Sequence, residues 1–141
     1  MIIKQLSIFL ENKSGRLTEV AEALGQNGIN MSALSIADSS EYGILRVIVN
    51  NPDKAVRILK DKGFSVNLTD VICLIVPHSP GALAKALRIL SDENISIEYM
   101  YAYAFDNRAS VVIRTKEIKK AIAVLQKNKM ELVKASRIYK I

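Results

Sequence analysis

Short apolar runs alternate along the chain with stretches in which apolar residues recur every three or four positions. The opening run, IIKQLSIFL, is apolar and rich in residues that favour β-strands. Leu17, Val20 and Leu24 then follow at spacings of three and four, which predicts an amphipathic helix with one buried face. The predicted elements after this helix are strands at Ile29–Ile36 and Gly43–Asn50, a helix from about Pro52 and a strand at Phe64–Leu68.

The second half of the chain repeats the first at an offset of 66 residues. The segment Ser14–Leu34 aligns with Pro80–Met100, and Asp53–Phe64 aligns with Lys119–Met130. The third strands, ILRVIVN and ASVVIRT, align only with a register shift of a residue or two. The predicted elements of the second half are a strand at VICLIV, a helix after Gly81, strands at Ile95–Phe105 and Ala109–Thr115, a helix from about Lys116 and a strand at Met130–Tyr139.

The element order βαββαβ, met twice, predicts an α+β fold of two ferredoxin-like units. Because strand-helix-strand crossovers are right-handed, this order builds an antiparallel sheet with both helices on one face. We expect one unit at residues 1–69 and the other at residues 70–141, since near Asp70 the last strand of the first copy runs almost directly into the next strand.

Composition narrows the class of protein. Nowhere do 18 apolar residues run together, and the first residues lack the basic segment of a signal peptide, so neither a membrane span nor secretion is expected. The single cysteine, Cys73, lies in the apolar run VICLIV, which indicates a buried thiol in a reducing compartment. A cytoplasmic location follows as the expectation.

Charge raises the question of nucleic acid. The net charge is +6, and residues 71–141 hold 12 of the 20 basic residues but only 6 of the 14 acidic ones. The lysines cluster on and after a predicted helix, as on an ordinary solvated helix face: Lys116, Lys119, Lys120, Lys127 and Lys129. RNA-recognition sheets carry stacking aromatics on the third strand, and those are missing here. Nucleic acid is therefore a disfavoured partner.

Three tyrosines keep that question partly open. Tyr99, Tyr101 and Tyr103 alternate along one strand and so share a face. They could stack on bases, or they could cover an open sheet face or form a subunit contact. The second interpretation is favoured.

The chain contains few residues that are suited to catalysis or to metal binding. His78 is the only histidine and Cys73 the only cysteine, which is too few for a soft metal site, and no nucleophile motif surrounds His78. No glycine-rich phosphate loop is present either. We expect no metal, no cofactor and no enzymatic activity.

The turn after each first strand is the remaining candidate site. Gly15 and Gly81 lie just before a helix, where free backbone amides and the positive end of the helix could hold a carboxylate. Asn30 and Ser96, at the start of each second strand, could meet the turn across a gap. Each glycine is equally well explained by turn geometry alone.

These residues resemble the ACT domain, a small βαββαβ module that typically binds amino acids and regulates metabolic enzymes. The ENKSGRL turn with GlyIleAsn and the HSPGAL turn with AsnIleSer carry the resemblance, which covers nearly all of both copies. It implies Asn12 and Asn30 as amino-acid contacts, beside Met31, with Ser14 and Gly15 shaping the loop. The corresponding candidates in the second copy are His78, Ser79, Gly81 and Ser96. The chain departs from the family pattern at Leu10, where a histidine would stand.

The resemblance implies a non-catalytic regulatory protein that binds a free amino acid, forms a homodimer and acts on a metabolic enzyme. Two alternatives remain from the residues themselves. One is a scaffold or regulatory subunit that has lost its ligand site and acts through protein contacts. The other is an RNA-binding module that uses the basic second half.

Overall fold

The computed structural model describes residues 1–38 and 41–139 of the chain. The first half folds as predicted, in the order βαββαβ. Its elements are β1 (Ile3–Glu11), α1 (Arg16–Gln26), β2 (Met31–Asp38), β3 (Tyr42–Val49), α2 (Pro52–Asp61) and β4 (Ser65–Pro77). Pro52 occupies the first turn of α2, where its missing amide hydrogen costs nothing, and the Asn51 side chain caps the helix by accepting from the Lys54 amide.

The second half repeats this order and shares β4 with the first. The elements that follow β4 are α3 (Ala82–Asp92), β5 (Tyr99–Phe105), β6 (Arg108–Arg114), α4 (Ile118–Lys127), β7 (Glu131–Leu132) and α5 (Ala135–Tyr139). The chain is therefore α+β, with two ferredoxin-like units, as the sequence predicted. None of the described helices is long and apolar enough to cross a lipid bilayer.

Contacts divide the chain into two compact units with a main boundary between Thr69 and Asp70. The first unit contains Lys4–Thr69 and the second contains Asp70–Ala135. The two ends of the chain do not follow the simple division into residues 1–69 and 70–141. Met1–Ile3 belongs with the second unit, and the described residues from Ser136 to Tyr139 belong with the first.

The first unit has the strand order β2-β3-β1-β4. Strands β1 and β3 pair antiparallel with Leu6 opposite Val47, and alternate residues of β1 are buried. Leu6 and Ile8 pack in one core with Leu24 of α1 and Leu59 of α2. Both helices therefore cover the same face of the sheet, because these strand residues share one side of the pleat.

The second unit has the order β5-β6-β4-β7 and a separate core. Ile72 pairs with Ile113, and both pack with Leu90 of α3 and Leu125 of α4. Each of these residues lies 66 positions after its counterpart in the first unit, so the repeat extends from the sequence into the packing.

The predicted register shift of the third strand is wrong. Val47 of β3 faces Leu6 and Leu34, and Ile113 of β6 faces Ile72 and Met100, so the offset of 66 residues is kept through both hairpins. A one-residue slip would turn every buried side chain of the strand to the opposite face. The requirement that Val47 and Ile113 both face the helices thus fixes the register.

The predicted last strand, Met130–Tyr139, is also wrong beyond its first residues. Strand β7 is only two residues long, and the chain then forms the short helix α5. The segment contains lysine, alanine, serine and arginine in succession, which favour helix or turn over strand. The Tyr139 hydroxyl at the end of α5 accepts a hydrogen bond from the Lys4 amide at 3.0 Å, within the first unit.

Candidate functional site

The loop between β1 and α1 is shaped by a left-handed glycine. Gly15 has φ 91° and ψ −13° and is the residue that caps α1. The Asn12 amide donates to the Glu41 carbonyl at 2.9 Å, and the Arg16 amide donates to the Lys13 carbonyl at 3.3 Å. The loop is therefore tied to the rest of the unit on one side and closed on itself on the other.

The second unit builds the same loop from different residues. Gly81 has φ 86°, the His78 amide donates to the Asn107 carbonyl at 2.7 Å, and the Ala82 amide donates to the Ser79 carbonyl at 3.2 Å. Each of these bonds lies 66 residues after its counterpart. Because only the backbone conformation and the glycine are shared, the turn itself is a structural property of both units.

Each loop leaves backbone donors at the start of a helix. After Arg16, the next residue of α1 whose amide bonds back to the loop is Glu19, which donates to the Gly15 carbonyl at 2.9 Å. Among the described residues, the amides of Leu17 and Thr18 have no acceptor. Free amides at the positive end of a helix attract carboxylates and other small anions.

A cavity of about 210 Å³ lies beside this loop in the first unit. Asn12 and Lys13 supply its polar wall, and Leu17 and Ile36 supply its apolar wall. Lys13 Nζ lies 3.2 Å from a Glu11 carboxylate oxygen, and both side chains are largely exposed, so their attraction is weak. The volume is below the roughly 300–1,000 Å³ typical of drug-sized ligands, and it suits a molecule of only a few heavy atoms.

A family model for an ACT domain pair matches residues 1–141. This chain belongs to the ACT domain pair family. Each of the two units described above is therefore an ACT unit, as the two loop motifs implied.

Solved structures agree with this assignment. Protein BT0572 from Bacteroides thetaiotaomicron is 56% identical, with a TM-score of 0.96 over 100% of this chain and 98% of that one. The ligand-free regulatory subunit of aspartate kinase from Thermus thermophilus is 17% identical, with a TM-score of 0.69 over 88% and 91% of the two chains. The corresponding subunit from Thermus flavus is also 17% identical, with a TM-score of 0.61 over 90% and 94%. At these low identities, the Thermus proteins share the fold. A comparison with curated proteins gave no match.

The structure brings only some of the predicted contacts together within an ACT unit. Asn12, Ser14 and Gly15 lie in the loop, but Asn30 and Met31 lie at the other end of α1, a helix of 11 residues and about 16 Å. Asn30 is tied there to Asn50: its amide donates to the Asn50 side-chain oxygen at 3.0 Å. The strand β2 instead contributes Ile36, from its far end, to the loop cavity.

The second ACT unit has the same separation. His78, Ser79 and Gly81 are exposed in its loop, whereas Ser96 lies beyond the end of α3. The Ser96 carbonyl accepts a hydrogen bond from the buried Thr115 hydroxyl at 2.8 Å, which ties the chain before β5 to the end of β6.

Sequence reasoning missed Lys13, Leu17, Ile36 and Gly43 as lining residues of the loop cavity. Leu17 and Ile36 were assigned to an apolar stripe and a strand, but their side chains are 45% and 48% exposed. The feature that identifies them is that they are large apolar side chains which belong to a helix or strand pattern and are nevertheless half exposed.

One lysine of the predicted basic cluster, Lys120, has a structural partner, and so does its counterpart in the first ACT unit, Lys54. Lys120 Nζ donates to the Glu93 carbonyl at 2.8 Å, and Lys54 Nζ donates to the Asn27 carbonyl at 2.9 Å in the other ACT unit. Each lysine thus binds the chain just after the preceding helix, where carbonyls lack partners and a positive charge is favourable.

The tyrosines of β5 share one face, as predicted. Tyr99 and Tyr101 are half-buried, and the Tyr103 side chain is 55% exposed. The neighbouring cations of β6 are paired, Arg108 with Glu131 and Arg114 with Glu98 at 3.8 Å. This pairing reduces the positive charge that a stacked nucleic acid would need.

The pKa of the Cys73 thiol is clearly displaced. Burial raises the pKa of its thiol to about 11, so the thiol stays protonated at neutral pH. A protonated buried thiol is a poor nucleophile and a poor metal ligand.

Proposed function

We propose that this ACT domain pair is a non-catalytic regulatory protein that binds a free amino acid at the β1–α1 loop of its first unit. The observation that carries the proposal is the combination of the free Leu17 and Thr18 amides with the adjoining cavity lined by Asn12. The amides donate hydrogen bonds to the carboxylate of the ligand, and the Asn12 side chain forms hydrogen bonds with the other polar groups of the ligand.

Because Asn30 lies far from the loop within one unit, a complete site needs an Asn30 from elsewhere. Asn30 meets the ligand amino group only if it comes from a second chain, so a homodimer completes the site. A ligand held by two chains favours the arrangement in which both contacts form, and this differential affinity is what makes regulation possible. Ser96 and the Gly81 loop are the corresponding pair in the second ACT unit.

We propose an enzyme of amino-acid metabolism as the regulated partner, by likeness to the regulatory subunits of aspartate kinase from the two Thermus species. The reducing compartment indicated by the single buried cysteine supports a cytoplasmic location.

A protein-contact role without a ligand is the second candidate function. Leu34 and Ile36 of the edge strand β2 are 53% and 48% exposed. An edge strand with exposed aliphatic side chains can pair with another strand. This scaffold role predicts partner binding that does not depend on Asn12.

Thermal unfolding with each common amino acid separates the two functions. A ligand at about 100 times its Kd adds about 2.7 kcal/mol to the stability of the folded state, which raises the Tm of a chain of this size by about 5–10 °C. Asn12→Ala should abolish that rise, and His78→Ala, the matched change in the second unit, should leave it intact. A wild-type protein that responds to no amino acid would refute the sensor and leave the scaffold role.

A further inference from the structure

A second, larger cavity of about 430 Å³ lies in the first ACT unit beside the turn between α2 and β4. We call it the aromatic groove. Its walls are the side chains of Phe9, Tyr42, Phe64, Glu11, Arg16 and Ser65. The loop cavity shares Glu11 and Arg16 with this groove but has no aromatic wall, so the two cavities offer different chemistry.

Two rings of the aromatic groove are unusually exposed. Phe9 and Tyr42 lie on neighbouring strands and are 51% and 49% exposed. Their ring centroids are 5.9 Å apart and the rings are tilted by 59°. Such a pair offers apolar faces and ring edges to a third aromatic ring, and covering it would remove apolar surface from water.

The second ACT unit shows that the fold does not require this set of side chains. Glu11 pairs with Tyr42, and Pro77 pairs with Arg108 at the same place in the other unit, so the two sites correspond residue by residue. Ile75, Arg108 and Glu131 stand there in place of Phe9, Tyr42 and Ser65.

An ion pair occupies the corresponding place in the second unit. Arg108 Nη2 donates to Glu131 Oε2. The same backbone thus carries a salt bridge in one unit and open aromatic side chains in the other. The fold therefore does not require the aromatic residues that the first unit carries at these positions.

Arg16 contributes a guanidinium group to the groove. Its guanidinium lies 4.6 Å above the Phe64 ring, and Nη1 donates to Glu19 at 2.9 Å. Among the described residues, Nη2 and the buried Nε have no acceptor. The opposing charge, Glu11, is paired with Lys13. An unused guanidinium donor forms strong charge-assisted hydrogen bonds with a carboxylate.

We infer that the aromatic groove binds a small molecule that combines an aromatic ring with a carboxylate. The ring packs against Phe9 and Tyr42, and the carboxylate accepts a hydrogen bond from Arg16 Nη2. This site is separate from the proposed amino-acid site, since it needs neither Asn12 nor the amides of Leu17 and Thr18.

The test uses 3-phenylpropanoate as the probe, titrated into the full chain by isothermal calorimetry. The double variant Tyr42→Arg, Ser65→Glu copies the ion pair of the second unit into the groove, and it should weaken binding by at least about tenfold. The matched variant Asn12→Ala should leave binding unchanged, so failure at this site and failure at the loop are distinguishable. Phe9→Ile, also copied from the second unit, provides a milder change should the double variant not fold.

The amine 3-phenylpropylamine tests the charge. Wild type should bind it at least about tenfold more weakly than the carboxylate, and Arg16→Ala, which copies Ala82, should remove most of that preference. The inference is overturned if wild type shows no saturable binding of the carboxylate up to about 10 mM. It is equally overturned if the folded groove variants bind as tightly as wild type, or if wild type binds carboxylate and amine alike.

Discussion

Replacing Gly15 by alanine should lower the free energy of unfolding by about 1–2 kcal/mol, the cost of holding an L-residue in the left-handed region. The magnitude comes from the backbone alone. Gly15 has φ 91°, and a Cβ added there would meet no atom within 4 Å, so no steric clash adds to the cost. Gly81→Ala, at φ 86° and with the same open space, should lose a similar amount in the second ACT unit.

Gly25 provides the matched control. It lies inside α1, and a Cβ added there would also meet nothing within 4 Å. Alanine is better than glycine in a helix by about 1 kcal/mol, so Gly25→Ala should stabilise the protein by up to that amount. The same chemical change therefore has opposite signs at the two ends of one helix, and the two variants should differ by about 2–3 kcal/mol.

Urea unfolding followed by far-ultraviolet circular dichroism measures the free energy of unfolding of both variants. In thermal unfolding, their melting temperatures should differ by roughly 4–12 °C. A neutral or stabilising Gly15→Ala would refute the reasoning, because it would mean that the β1–α1 loop does not need the left-handed residue that sets the direction of its amides. A destabilising Gly25→Ala would show that conformational preference does not decide these sites.

The remaining predictions concern the core, a helix terminus and the buried thiol. Leu24→Ala should cost about 2–5 kcal/mol in urea unfolding, because Leu24 is fully buried in the first core; a loss below about 1 kcal/mol would contradict that packing. Lys54→Met should lower the free energy of unfolding by less than about 1 kcal/mol, because the hydrogen bond from Lys54 to the Asn27 carbonyl is exposed. The melting temperature should therefore fall slightly, and an unchanged Tm would show that this contact contributes nothing. Cys73 should make the protein less stable as pH rises from about 9 to about 11, because the unfolded thiol loses its proton near its usual pKa of 9.0 while the folded one, with a pKa of about 11, keeps it. Unfolding of wild type and Cys73→Val across this range should diverge by up to about 2–3 kcal/mol, and parallel curves would refute the shift.

The sequence predicted the fold well because the same pattern of strands and helices occurs twice, once in each unit. The offset that links Leu24 to Leu90 also links their positions in the two cores. The predictions that failed depended on long-range constraints. The register of β3 is fixed because Val47 must lie on the face of the sheet that the helices cover. The end of the last strand depends on how far β7 can pair with β4.

The candidate site was only half visible in the sequence. Gly15 and its loop follow from a local turn signal, and the structure shows the left-handed conformation that the signal implies. The distance between Asn12 and Asn30 depends on the length and direction of α1, which a linear spacing does not reveal. The pairing that places Tyr42 beside Phe9 belongs to the sheet, so the aromatic groove could not be found before the strands were aligned.

Backbone amide spectra of the isotope-labelled protein, recorded with each common amino acid in turn, test the central claim most directly. The proposed sensor predicts that one amino acid, or a few related ones, shifts the signals of Gly15, Leu17 and Thr18, and that Asn12→Ala suppresses these shifts. Spectra in which no amino acid at about 10 mM moves these signals, or in which the shifts fall away from the loop, would contradict an amino-acid site at the start of α1.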